Sequence, residues 1–211
     1  MTETGMSIDP RPAATWNGRL RDQLAWHWEA QLRPSLQGLT DDEYLWEPVP
    51  GCWSLRPRAE ANTPMAAGRG DVVADFAFPE PVPAPVTTIA WRIGHLLVGV
   101  LGERNAMYFG GEPVSYETYD WSLSAAPALA ALDAGVDRWL TGVAGLGEEG
   151  LERLLGPSGG FFADFTYAEL VLHIHRELLH HGAEISLLRD LHRHAGGAEL
   201  TSSGRGAARS L

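Results

Sequence analysis

A glutamate and a histidine one helical turn apart are the pair of side chains in this sequence best suited to hold a metal ion. Glu177 and His181 stand four positions apart in the run Glu-Leu-Leu-His-His. Residues at this spacing lie on one face of a helix, and carboxylate and imidazole groups are both ligands of divalent metals. The same spacing also suits a buried acid–imidazole pair without metal, or a surface contact across one turn. The residues alone leave these alternatives open.

The helix that carries this pair is predicted over residues 166–194. Thr166 followed by Glu169 is a capping box, which marks the helix start, and no proline interrupts the segment before the paired glycines at 196–197. His181 falls on the apolar line of this helix, so we expect it to face the core with Glu177 at the border of the same stripe. That apolar line consists of Ile174, Leu178, His181 and Ile185.

The other histidines of this helix suggest a protease motif that the spacing excludes. Six of the eight histidines lie between residues 173 and 194. His175 and His180 flank Glu177 much as in a His-Glu-x-x-His metalloprotease helix, but they lie about 140° apart around the axis and share no face. We expect His173 to lie beside Glu177. We expect Arg189 to lie on the wetter face of the helix together with His180. The remaining histidines of this helix are predicted to be exposed to solvent: His175, His180, His192 and His194.

A third ligand must come from another helix, and His95 is the candidate. It is the single histidine of the apolar segment 89–109, one turn after Trp91. An isolated histidine in such a segment is more often a core residue bonded to a neighbour. If its helix packs against the one carrying Glu177 and His181, His95 completes a three-ligand set.

Four long helical segments are predicted to position these residues. Their apolar positions recur with helical period, and prolines, glycines and capping residues mark their ends. They cover residues 16–33, 89–109, 124–145 and 166–194. The fold class that this pattern predicts is all-α, a four-helix bundle with a long crossover.

A Pro/Gly-rich insertion separates the first two long helices. Residues 47–86 contain eight of the fourteen prolines, and they follow a short predicted helix at 40–46. Pieces at 53–56 and 72–78 have the composition of short extended segments. We therefore expect one domain over residues 15–194, a flexible N-terminus at 1–14 and a disordered tail at 195–211.

Composition excludes several classes of function. The net charge of −11 argues against a nucleic-acid partner, which needs a basic surface. Cys52 is the only cysteine, so neither an intrachain disulfide nor a cysteine-based zinc motif can form. All 16 basic residues are arginines, which rules out a Schiff-base lysine. No apolar run of about 20 residues is present, so we expect a cytoplasmic protein without membrane partners.

Three stretches of the sequence resemble the DinB-like superfamily. They are Thr-Ile-Ala-Trp-Arg-Ile-Gly-His at 88–95, Leu-Trp-Glu-Pro followed by Trp-Ser within 45–54, and Arg-Glu-Leu-Leu-His-His-Gly-Ala-Glu-Ile at 176–185. The superfamily includes the metal-binding domains of mycothiol-dependent maleylpyruvate isomerases and the bacillithiol transferases. The resemblance spans roughly residues 16–194 and implies an up-down-down-up four-helix bundle. Its long crossover lies between the second and third helices, whereas the longest loop predicted here lies between the first and second.

The resemblance also implies a metal site. Members of the superfamily bind zinc or nickel through one ligand on the second helix and two ligands, one turn apart, on the last. The matching positions here are His95, Glu177 and His181. Many members have histidine where this chain has Glu177, while the isomerase-like branch has glutamate. This similarity implies a zinc ion, or else a nickel ion, with one coordination position open for a thiol such as mycothiol.

These observations lead to one main hypothesis and two alternatives. The main hypothesis is a metal-dependent thiol S-transferase or isomerase of the mycothiol type, acting on a small electrophile as a homodimer. The first alternative is a non-catalytic protein that binds a small ligand or a structural metal. The second is a metal-assisted hydrolase with His173 or Glu184 as general base. Candidate anion-binding groups are Arg92, Arg104 and Arg138.

Overall fold

The computed structural model describes residues 15–204, with side-chain environments as far as residue 195. This part of the chain is mostly helical and contains one small antiparallel sheet. The predicted helical class is therefore confirmed. The small sheet corrects the prediction of a purely all-α fold. No helix within residues 15–204 is both long and apolar enough to cross a membrane. The N-terminus predicted to be flexible, 1–14, and the last part of the predicted tail, 205–211, lie outside the described residues.

The first long helix, α1, begins at Trp16 and changes its winding near its end. It comprises an α-helical part, Trp16–His27, a π-helical stretch, Trp28–Leu32, and a final turn, Arg33–Ser35. Its leucines line the core because they recur at helical spacing. The predicted short helix is α2, Asp41–Leu45, and it begins with a capping box between Thr40 and Glu43.

The Pro/Gly-rich insertion is folded onto the start of the next long helix. Strands β1, Leu55–Pro57, and β2, Val72–Ala74, pair antiparallel, as the two predicted extended pieces anticipated. The fully buried Asp75 accepts hydrogen bonds from the Ser54 backbone and from Arg56, at 3.1 and 2.8 Å. The Trp91 indole donates to the Asp75 carbonyl at 2.8 Å, so the sheet is fixed to the helix that carries His95.

The second long helix, α3, carries His95 at the end of its regular first part. It comprises Ile89–His95, a π-helical stretch Leu96–Gly102, and a last part Glu103–Tyr108. The Thr88 side chain caps it by accepting from the Trp91 backbone. Half of its twenty residues are buried and only Met107 is exposed, in line with its nearly all-round apolar pattern.

The last two long helices complete the core. Helix α4, Ala125–Leu151, bends at Gly147, where φ is 61°, and a 3₁₀ segment, Gly156–Phe162, follows it. Helix α5, Tyr167–Gly204, starts at the predicted capping box, with the Glu169 backbone donating to the Thr166 hydroxyl at 3.3 Å. It continues to Gly204, beyond the end predicted at residue 194.

Helix α3 contacts both α4 and α5, and α1 packs against α4 and α5. This arrangement brings the His95 face of α3 onto the face of α5 that carries Glu177 and His181. Because α5 has neighbours on more than one side, two exposure predictions are wrong. His175 is only 2% exposed and packs edge-on against Trp139 of α4. Arg189, also predicted to lie on the wetter face, is buried and pairs with Glu43 at 3.1 Å.

Candidate metal centre

Helices α3 and α5 bring together the three residues predicted to bind metal. The ligand atoms of His95, Glu177 and His181 all lie within 4.8 Å of one another. The rings of His95 and His181 meet edge to face, with their centroids 4.8 Å apart. His181 Nε2 lies 3.4 Å from Glu177 Oε2, as expected for two side chains one turn apart. Two imidazoles and one carboxylate thus point at a common volume.

His181 is oriented by a carboxylate on its far side. Its Nδ1 lies 2.7 Å from Oε2 of Glu184. An ionised carboxylate only accepts hydrogen bonds, so Nδ1 donates its proton to Glu184, and Nε2 is the ring nitrogen that faces Glu177. Arg92 of α3 pairs with the same Glu184 oxygen at 2.9 Å and holds it in place. A carboxylate behind a histidine in this way fixes the tautomer that binds metal.

His95 is held in a comparable way by a tyrosine from the loop between α3 and α4. Its Nδ1 lies 2.7 Å from the Tyr116 hydroxyl. When Nδ1–H donates to this oxygen, Nε2 carries the free lone pair. Burial lowers the pKa of His95 to about 4, with further contributions from His181 and Arg92, so the ring is neutral at neutral pH. A neutral imidazole is the form that binds metals.

Gly99 provides the space in which Tyr116 reaches His95. A Cβ atom at Gly99 would lie 2.6 Å from the Tyr116 hydroxyl and 3.2 Å from His95 Nδ1. Any side chain there would displace one or both groups. Gly99 belongs to the π-helical stretch of α3, and short π-helical stretches are frequent at functional sites. A glycine in an otherwise apolar helix is unfavourable by about 1 kcal/mol relative to alanine, and this was the sequence signal for the close contact.

The cluster reaches the protein surface at Glu177. The Glu177 side chain is 24% exposed, whereas that of His181 is 9% exposed. The Oε1 atom of Glu177 turns away from His181, toward His173 Nδ1 and Arg176 Nε, both 3.6 Å away. The cluster is therefore accessible from solvent. A reaction with an external thiol requires such access.

A second group of potential ligands shares His181 with the first. His180, His181 and Glu184 also have ligand atoms within 4.8 Å of one another. His180 is exposed, however, with 62% of its side chain accessible, and Glu184 already pairs with Arg92 and with His181 Nδ1. We therefore favour the first set, in which each residue has a ligand atom to spare.

The remaining predicted residues have other contacts. Arg92 pairs with Glu184, Arg104 pairs with Glu103, and Arg138 donates to the carbonyl of Gly110 at 3.3 Å. Arg92 and His181 Nδ1 both contact the same oxygen of Glu184, Oε2. His173 lies beside Glu177, as predicted. Sequence reasoning missed Tyr116 and Gly99, and it did not assign Glu184 as the partner of His181.

The family model of the DinB superfamily matches residues 23–185, a range that contains all three residues of the cluster. The chain belongs to the DinB superfamily. The resemblance found in the sequence is thereby confirmed, and the superfamily includes metal-binding members. No curated protein and no solved structure matches the chain. The site of this DinB-superfamily protein must therefore be argued from its own residues.

Proposed function

We propose that this DinB-superfamily protein holds one divalent metal ion at His95, Glu177 and His181 and uses it to activate a thiol. The observation that carries the proposal is the convergence of the three ligand atoms within 4.8 Å. Hydrogen bonds at Nδ1 of both histidines leave each Nε2 available. Two nitrogens and one carboxylate oxygen suit zinc first and nickel second, and three protein ligands leave a coordination position open.

Thiol transfer or isomerisation is the chemistry that the family resemblance suggests for this donor set. A bound metal of this kind lowers the pKa of a thiol and favours the thiolate, which is the nucleophile. In the protein itself, Glu184 and Tyr116 hold the two rings, and the exposed edge of Glu177 gives the thiol access. We propose mycothiol as the thiol and a small electrophile as its partner, as the family resemblance suggests. The proposal includes the four-helix bundle of the family, a homodimer and a cytoplasmic location.

The metal assignment is tested by comparing neighbouring histidines. Metal analysis of purified protein is expected to give about one zinc or nickel ion per chain. His181→Ala should lose this metal, whereas His180→Ala, which changes the exposed neighbour, should retain it. Circular dichroism shows whether both variants stay folded. Equal metal content in the wild type and in His181→Ala would refute the ligand assignment.

The reaction is tested with mycothiol and chlorodinitrobenzene, with the loss of free thiol as readout. In this reaction a sulfur–carbon bond forms, chloride leaves and the thiol proton goes to solvent. Metal-loaded wild type should consume thiol faster than the metal-free protein, and His181→Ala should not exceed that background. No rate above the metal-free protein would instead favour a non-catalytic role in ligand or metal binding.

A further inference from the structure

A cleft lies beside the candidate metal centre, between α3, α5 and the segment that leads into α5. Its volume is about 570 Å³, which is within the range of small-molecule sites, roughly 300–1,000 Å³. His173 lines this cleft and lies 3.6 Å from Glu177, so the cleft and the metal cluster are adjacent. The metal ligands themselves are not among its lining residues.

One side of the cleft is apolar and rich in aromatic rings. Leu155 and Leu170 form its buried part, while Phe162, Phe165 and Met107 keep between 41% and 53% of their surface exposed. The Phe162 and Phe165 rings lie 5.3 Å apart at a tilt of 43°. Half-exposed aromatic rings that line a cavity offer stacking surface to an apolar or aromatic ligand.

The cleft also has a basic rim. Arg104 projects from α3, and Arg176 projects from α5 beside His173, with Nη2 of Arg176 2.6 Å from His173 Nδ1. Arg104 pairs with its chain neighbour Glu103. The one carboxylate among the lining residues, Glu169, accepts from the backbone and hydroxyl of Thr166 at 2.7 and 2.9 Å and so serves as a helix cap. Two guanidinium groups, which can bind a carboxylate through paired hydrogen bonds, thus line the same cleft as the apolar side chains.

We propose that this cleft binds a small amphipathic anion, with an aromatic or alkyl body against Phe162 and Phe165 and a carboxylate or sulfonate at Arg104 and Arg176. The binding requires no metal and is independent of the proposed thiol chemistry. His173 and Arg176 line the cleft and each lie 3.6 Å from Glu177, so the charged end of such a ligand is on the side of the cleft nearest the metal cluster. The site therefore selects for charge and apolarity together.

The experiment is a fluorescence titration with anilinonaphthalene sulfonate, which has an aromatic body and one negative charge. Neutral phenylnaphthylamine has the same body without the charge and is titrated in parallel. Both titrations use metal-free, full-length protein, and His181→Ala is included as a variant that separates this site from metal binding. The sulfonate should bind the wild type and His181→Ala equally and more tightly than the neutral probe.

Four further variants identify the residues that bind the probe. Arg104→Gln and Arg176→Gln should each weaken sulfonate binding by about 3- to 10-fold, as expected for partly exposed charge-assisted contacts, and leave the neutral probe unchanged. Phe162→Ala, at an exposed position, should weaken both probes. Arg138→Gln removes an exposed arginine of α4 outside the cleft and should change neither.

The result that would overturn the proposal is equal sulfonate affinity in the wild type and both cleft arginine variants. An equal loss in Arg138→Gln would overturn it as well, because the effect would then reflect the total charge. Thermal melts of all variants in the absence of probe separate a loss of the site from a loss of the fold.

Discussion

Helix α5 buries two histidines, and their surroundings differ completely. His181 faces α3, with one ring nitrogen bonded to Glu184 and the other directed at Glu177. His175 faces Trp139 of α4, and neither of its ring nitrogens has a hydrogen-bond partner among the described residues. Burial is therefore a poor guide to function in this helix. The polar partners that converge from α3 and its following loop distinguish the candidate site from a histidine in the core.

The largest effect is expected when a metal ligand is removed from the α3 side. His95→Ala should weaken zinc affinity by more than about 100-fold, because it removes a ligand rather than a group that supports one. Isothermal titration with zinc measures this, with His175→Leu as the control that removes a buried histidine from the other face. If His95→Ala and His175→Leu both bind zinc like the wild type, the contrast between the site facing α3 and the buried His175 has no functional basis.

Removing the carboxylate behind His181 should have the next largest effect. Glu184→Ala leaves His181 in place but frees its ring to rotate or to change tautomer, so zinc affinity should fall by about 10- to 100-fold. Asp190→Ala, which removes an exposed acid from the same helix, serves as the control for charge. An unchanged zinc affinity in Glu184→Ala would show that packing alone orients His181.

A smaller effect is expected for the tyrosine that bonds to His95. Tyr116→Phe keeps the ring and removes only the hydroxyl, so a loss of zinc affinity of about 10-fold is expected. Tyr119→Phe, in the same loop, is the matched control because Tyr119 packs on Trp121. Gly99→Ala should reproduce the loss, since its methyl group would lie 2.6 Å from the hydroxyl and displace it. Normal affinity in Gly99→Ala would contradict this account of the π-helical stretch.

The smallest effect concerns stability and the unpartnered histidine. His175→Leu removes two buried, unpaired nitrogens and should stabilise the protein by about 1–3 kcal/mol in chemical denaturation. Burial lowers the pKa of His175 to about 4, whereas the unfolded chain takes up the proton near 6.5. His175 alone should therefore account for a loss of up to roughly 3 kcal/mol in the stability of the wild type as the pH falls from about 6.5 to 4.

The His175→Leu variant separates the contribution of His175 to the pH dependence of stability from that of His95, which has a similarly lowered pKa. Its stability should depend less on pH than that of the wild type over the same interval, with both proteins measured free of metal. Identical slopes would mean that His175 finds a hydrogen-bond partner in solution.

Local patterns predicted the parts of the site that belong to one helix. The spacing of Glu177 and His181 and the capping box at Thr166 depend only on helical geometry, so they could be found in the sequence. The approach of His95 depends on how two helices pack, which the family resemblance supplied and periodicity did not. Tyr116 lies in a loop, whose path no repeating pattern constrains.

The exposure errors have a related cause. A helical wheel assumes one buried face, but α5 has neighbours on several sides, so His175 is enclosed by α4. Arg189 is buried because Glu43, 146 positions away along the chain, neutralises it. The sequence of α5 alone gives no indication of such a partner.

The π-helical stretch of α3 also explains why the metal cluster and the basic rim face the same helix. In a regular α-helix, Arg104 would point about 180° away from His95, because each residue turns the chain by about 100°. Each residue of the wider π-helical winding turns the chain less, so the stretch Leu96–Gly102 delays the rotation. As a result, His95 meets His181 and Arg104 meets the His173 region, both on α5. A local change in helical pitch thus places a candidate metal ligand and a cation on the side of α3 that faces α5.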